Sequence, residues 1–94
     1  MYENPLCPGE IRLNLPSYVQ GTGAFYGPDA HPDVLEEDML WLHWDGKGLD
    51  IGWEDGYYTI YHYNGGDYAN HLWTFVTPHV TLAIEQIESL FRTR

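Results

Sequence analysis

Apolar and polar positions divide the chain into three stretches with different periodicities. Over residues 39–76 the period is two. Leu40, Leu42 and Trp44 share one side of a predicted strand over 39–44. Leu49, Ile51 and Trp53 share one side of a second over 49–53, with Asp50 on the other. Residues 57–63 are the most β-prone run, built from aromatics, Thr and Ile. Tyr57, Thr59, Tyr61 and Tyr63 fall on one side of it, and Tyr58, Ile60 and His62 on the other. A fourth strand is predicted over 68–76. Three turn sequences separate these runs: Asp45-Gly46-Lys47-Gly48, Glu54-Asp55-Gly56 and Asn64-Gly65-Gly66-Asp67. That spacing suits an up-and-down meander.

From residue 77 the period becomes helical. Val80, Ala83, Ile84, Ile87, Leu90 and Phe91 make one apolar stripe, while Glu85, Glu88 and Ser89 face away. Thr77 is the predicted N-cap, with Pro78 at the first helical position. Glu88 and Arg92 have the spacing of an i, i+4 ion pair, and Arg92 and Arg94 suit the negative end of the helix dipole. The stripe must lie on the sheet, which is the other apolar surface available.

Residues 1–38 are interrupted by Pro5, Pro8, Gly9, Pro16, Gly21, Gly23, Gly27, Pro28 and Pro32, which forbids long helices. A short strand over 11–15, an extended piece over 23–26 and a turn or two of helix after Pro32 are expected. Ninety-four residues suffice for one domain. The expected architecture is a single α+β domain over 1–94. It comprises a breaker-rich segment (1–38), an antiparallel meander sheet of four to five strands (39–76) and one C-terminal helix (77–94) packed on one face.

Composition sharpens this picture at two points. Aromatic residues make up 16% of the chain, enough to build a small core without disulfides, which the single cysteine, Cys7, cannot supply internally. The other point is charge. Fourteen acids against four bases give a net charge of −10. Ten of those acids and one base, Lys47, lie between Asp29 and Asp67. Such a field repels nucleic acid and anionic membranes, and attracts basic proteins. In the alternative reading acidity serves solubility alone. The lone thiol, the lack of a basic leader in residues 1–10 and the lack of any ~20-residue apolar run predict a cytoplasmic protein.

Candidate chemistry is sparse. His43, His62 and His71 lie on three predicted strands and would bind a metal only if the register united them. Glu36-Glu37 and Glu54-Asp55 are adjacent acids that diverge or face water, unlike catalytic carboxylates held in a pocket. Neither Asp45-x-Lys47-x-x-Asp50 nor the stretch after Asp50 matches a calcium loop. Cys7 has no neighbouring cation to activate it, and Gly21-Thr22-Gly23 lacks the context of a phosphate loop. No enzyme activity, metal or cofactor is therefore expected.

The aromatic side of 57–63 is the strongest positive feature. One helix covers one face, so a Tyr- and Trp-rich face is left over unless residues 1–38 fold back across it with Leu6, Ile11, Leu13, Leu15, Val19 and Phe25. Trp41 and Trp73 are expected on that face, opposite Leu40, Leu42 and Leu72. Acids from the turns would rim it. The expected partner-binding set is Trp41, Asp45, Asp50, Glu54, Asp55, Tyr57, Tyr61, Tyr63 and Asp67, residue types that interface hot spots and basic partners favour. The function these features suggest is a small acidic inhibitor of a basic, nucleic-acid-handling protein, of the nuclease-immunity or phage anti-defence (anti-CRISPR) kind. In it, carboxylates stand where phosphates would and aromatics where bases would stack. A structural or assembly subunit, including a homodimer, and an aromatic-platform module for sugars or other small ligands are the alternatives.

Overall fold

The computed structural model describes residues 9–64 and 71–92. In chain order these form β1 (Glu10–Ile11), β2 (Gln20–Gly23), β3 (Phe25–Tyr26), a single 3-10 turn (Pro32–Val34), β4 (Leu40–Trp44), β5 (Lys47–Glu54), β6 (Tyr57–Asn64), β7 (His71–Thr77) and α1 (Val80–Ser89). The main sheet has five antiparallel strands in the order β2-β4-β5-β6-β7, and β1 and β3 form a separate two-stranded ribbon. This is the expected α+β architecture, with a fifth strand at the β4 edge that the chain pattern did not reveal. Gln20–Gly23 contains two glycines and no apolar side chain, so it carries no period-two signal. Its place comes from pairing with β4. Of the strand predicted over 11–15, only Ile11 belongs to a ladder.

Two hairpins build the centre. β4 and β5 are closed by Asp45-Gly46, and β5 and β6 by Asp55-Gly56. All four residues have positive φ, between 49° and 84°, the type I′ geometry that matches the twist of the flanking strands. The predicted turn at Asn64-Gly65-Gly66-Asp67 falls mostly outside the described residues, as does the start of the strand predicted over 68–76.

Register decides the faces. Leu40, Leu42, Leu49, Ile51, Tyr58 and Ile60 all point to one side and are buried there. α1 covers this side with Ala83 and Ile87, both fully buried, and with Val80, Ile84 and Leu90 packed against the same cluster. The helix is shorter than expected, with His79 at the N-cap and no side-chain cap bond. Thr77 still ends β7, and its Oγ1 accepts from the His79 N–H at 3.1 Å. Glu88 still attracts Arg92 electrostatically, but the bonds from Arg92 go to Glu85. Arg92 donates two bonds to Glu85 at 2.7 and 3.1 Å, while Glu88 accepts from the Asn14 backbone N–H.

The breaker-rich segment lies on the helix side as well. Phe25 is buried with its ring 5.3 Å from Tyr58, and the Tyr58 hydroxyl donates to the Tyr26 carbonyl at 2.8 Å. Burial first, and the Asp29 charge second, push the Tyr58 phenol up to about 12. Ile11, Leu13, Leu15 and Val19 are half-buried against the same core. Among the described residues, Ile11, Leu13, Leu15, Val19 and Phe25 therefore complete the covered layer where α1 stops, whereas Glu37 stands over Gly52 on the opposite face.

Candidate functional site

The face that α1 and residues 9–30 leave open is set by the same register. Across it run Thr22 on β2, Trp41 and His43 on β4, Asp50 and Glu54 on β5, Tyr57, Thr59, Tyr61 and Tyr63 on β6, and Thr74 and Val76 on β7. The side chains that β5 places there alternate with Gly48 and Gly52, and both glycines have something lying over them. A Cβ on Gly48 would stand 2.6 Å from the Tyr63 ring. A Cβ on Gly52 would collide with the Glu37 carbonyl, because residues 36–38 run on beside β5 and the Trp53 N–H donates to the Glu36 carbonyl at 2.7 Å.

Tyr63 lies flat across β5 and is only 1% exposed. Its hydroxyl accepts from Trp41 Nε1 at 2.7 Å and donates to Asp50 Oδ1 at 3.0 Å. Three strands are thereby tied by one polar chain. Trp41 is held by this bond on one side and stacks on His43 on the other, ring centres 4.6 Å apart, with 38% of its surface still exposed. A large aromatic side chain is thus presented already ordered, which lowers the entropy cost of binding. Asp50 is half-buried, and that burial raises its carboxyl above the ordinary range. The Tyr63 bond acts in the opposite sense, and the neighbouring Asp38 adds to the rise.

The expected binding residues divide as follows. Trp41, Asp50, Glu54, Tyr57, Tyr61 and Tyr63 share the open face. Tyr57 is 47% exposed, whereas Tyr61 is half-buried with its ring 4.7 Å from His71. Tyr63 is a support rather than a contact surface. Asp45 and Asp55 are exposed at the tips of the two hairpins, at opposite ends of β5. Asp67 lies outside the described residues. Trp73, expected on this face, is on the covered one: it pairs with His62, and its ring packs 5.1 Å from that imidazole. Leu72 is instead exposed, because it alternates with Thr74 and Val76 while Trp73, Phe75 and Thr77 face the covered side; the register shift between His62 and Tyr63 then brings His71 opposite Tyr63.

His43, His71 and Asp38 also lie at this face and are not in the expected binding set, although the two histidines are candidate metal ligands in the sequence. His43 shares the parity of Trp41, a signal present in the sequence. The approach of Asp38 depends on residues 36–38 following β5, which no local pattern announces. Thr22, Asp38, Trp41 and Asp50 line a cavity of about 210 Å³. His62 is on the opposite face from His43, so the three strand histidines do not converge. Among the described residues no group of three or more His, Cys, Asp or Glu is arranged to hold a metal ion.

Charge is sided. Among the described residues the bases are Arg12, Lys47 and Arg92, and all belong to the covered side. Arg12 is in the covering segment, Arg92 follows α1, and Lys47 shares the parity of Leu49 and Ile51 and helps depress the pKa of His62. The open face carries Asp50 and Glu54 with no Lys or Arg among its described residues. Its acids concentrate on β5 and the hairpin tips, while the described parts of β6 and β7 carry none. Among the described residues, the acids expected from the turns therefore lie at the two ends of β5. Among the described residues no helix is long and apolar enough to cross a membrane. Comparison with protein-family models, curated proteins and solved structures finds no match to this chain.

Proposed function

We propose that this protein is a small acidic inhibitor that docks its open sheet face onto a basic, nucleic-acid-handling partner. The observation that carries the reading is the ordered Trp41 on a face that has carboxylates and no described cation. Trp41 is the kind of rigid aromatic anchor that dominates interface energetics. Asp50, Asp38, Glu54 and the hairpin acids supply the charge that steers a basic surface to it. An aromatic beside carboxylates also imitates a base beside phosphates, which suits occupation of a nucleic-acid channel. Immunity against a nuclease and anti-defence activity of the anti-CRISPR kind are both served by this chemistry. A cytoplasmic setting accords with such a target.

The small-ligand alternative gains less. The cavity beside Trp41 is about 210 Å³, below the several hundred Å³ typical of ligand pockets. The assembly alternative draws on a different part of the sheet, the β7 edge.

The test is affinity capture from a lysate of the source organism at low salt, followed by reconstitution with the purified candidate. A basic protein should be retained, released by salt, and blocked from binding its nucleic acid by this chain. Trp41→Ala should weaken the reconstituted complex by about 2 kcal/mol, roughly thirtyfold. Asp50→Asn, which keeps an acceptor for Tyr63, should weaken it less and flatten its salt dependence. A complex indifferent to salt and to Trp41→Ala would refute the proposal.

A further inference from the structure

β7 is the last strand of the sheet. Among the described residues β6 pairs with one side of it and no strand pairs with the other. Half of its backbone donors and acceptors therefore face outward. Proteins ordinarily protect such an edge with brevity, proline or charge. The opposite edge, β2, follows that rule, being four residues long with two glycines. β7 does not. It runs for seven residues, His71–Thr77, with no proline, no acid and no base.

The surroundings are equally uncharged. Residues 56–84 contain a single charged side chain, Asp67, in a chain with fourteen acids and four bases. Within that span Leu72 is 49% exposed, Val76 52% and Leu82 48%. A long, apolar, uncharged edge is a template for strand addition.

We infer that the outer edge of β7 is a self-association surface whose occupant is a second copy of this chain. Charge selects that occupant. Two copies carrying −10 each repel wherever their β4–β5 acids approach one another, and the β7 edge is where they meet without facing carboxylates. A basic partner would forgo its electrostatic attraction there. Geometry agrees. Antiparallel pairing centred on Thr74 sets Leu72 of one copy opposite Val76 of the other, twice, as a two-fold axis requires. The axis then stands perpendicular to a continuous ten-stranded sheet, so the open faces of both copies lie side by side on one surface.

The inference stands independently of the proposed function, and salt separates the two. Screening weakens binding to a basic partner but strengthens pairing between like-charged copies. Sedimentation velocity on the full chain, across a wide range of micromolar concentrations at low and moderate salt, should show the mass rising from one chain to two, at lower concentration when salt is added. Val76→Lys and Leu72→Lys, at exposed positions, should each raise the dissociation constant at least tenfold, although each lowers the net negative charge. Trp41→Ala should leave it unchanged. Hydrogen exchange on the unaltered protein gives a reading free of any folding defect: protection of β7 amides should increase with protein concentration. A monomer at every concentration and salt would overturn the inference. So would a dimer that Trp41→Ala disrupts and Val76→Lys spares, or a monomer whose β7 accepts a strand from another protein.

Discussion

His62 lies on the covered face between two tryptophans, its ring 5.8 Å from Trp44 and 5.1 Å from Trp73. Both ring nitrogens are buried, and among the described residues neither has a hydrogen-bond partner. Burial foremost, and the Lys47 charge next, hold its pKa below the ordinary 6.5. The unfolded chain thus takes up a proton on this ring at higher pH than the folded chain does. The stability tied to His62 is intact above pH 6.5 and is lost as pH falls below it toward the lowered value. A buried unsatisfied donor costs about 1–3 kcal/mol, so His62→Phe removes a penalty while keeping an aromatic ring between the tryptophans. Urea unfolding should find His62→Phe no less stable than the parent near neutral pH, and more stable by about 1 kcal/mol or more near pH 5. Protonation of the surface carboxylates is common to both proteins and cancels in the comparison.

At the scale of elements, the hairpins and the β5 glycines show two different reasons for the same residue. Gly56 has φ of +84° and nothing within 4 Å of where a Cβ would sit, so Gly56→Ala incurs only the backbone penalty of positive φ, about 1 kcal/mol. Gly52 has an ordinary backbone but a carbonyl directly over it. Gly52→Ala must push residues 36–38 away from β5, breaking the Trp53 to Glu36 bond and displacing Asp38 from Asp50. Chemical denaturation should therefore rank Gly52→Ala well above Gly56→Ala in cost, by about 1–3 kcal/mol for the forced overpacking. Only Gly52→Ala should also weaken partner binding. The turn glycine was legible in the chain because Asp-Gly between alternating runs demands positive φ. The role of Gly52 was not, since it depends on a segment that arrives from elsewhere. The same distinction holds for α1: its stripe followed from spacing, but the bond from the Asn14 backbone to Glu88 depends on a segment that arrives from elsewhere.

For the whole molecule, the distribution of charge matters more than its sum. The described bases sit with the covered layer, acids crowd β5 and its hairpins, and the described parts of β6 and β7 are bare of charge. The compact state brings like charges together, and screening should relieve that repulsion. Thermal unfolding of the free protein should accordingly shift to higher temperature as sodium chloride is raised from low to physiological levels. A midpoint that fell with salt would mean that attractive pairs such as Arg92–Glu85 outweigh the repulsion, contrary to the sided arrangement.

Period-two runs, Asp-Gly turns and a helical stripe near residue 80 determined the meander, its hairpins and one helix from local chemistry alone. Tyr57, Tyr61 and Tyr63 were assigned to one face of β6 and Tyr58 to the other on the same basis, because alternation needs only neighbours along the chain. Three things were decided in three dimensions. Beyond the alternation of Ile11, Leu13 and Leu15 the breaker-rich segment carries little periodicity, so the placing of its described part on the helix side rests on Phe25 and Tyr26 meeting Tyr58. Trp73 shares the parity of Phe75 and Thr77 and so goes to the covered face, leaving Leu72 exposed beside Thr74 and Val76, but which parity faces the core was set only by pairing with β6. The bond from Trp41 through Tyr63 to Asp50 joins side chains from β4, β6 and β5. Only strand pairing brings those residues within hydrogen-bonding distance, which is why the sequence named these three side chains while their arrangement came from the fold.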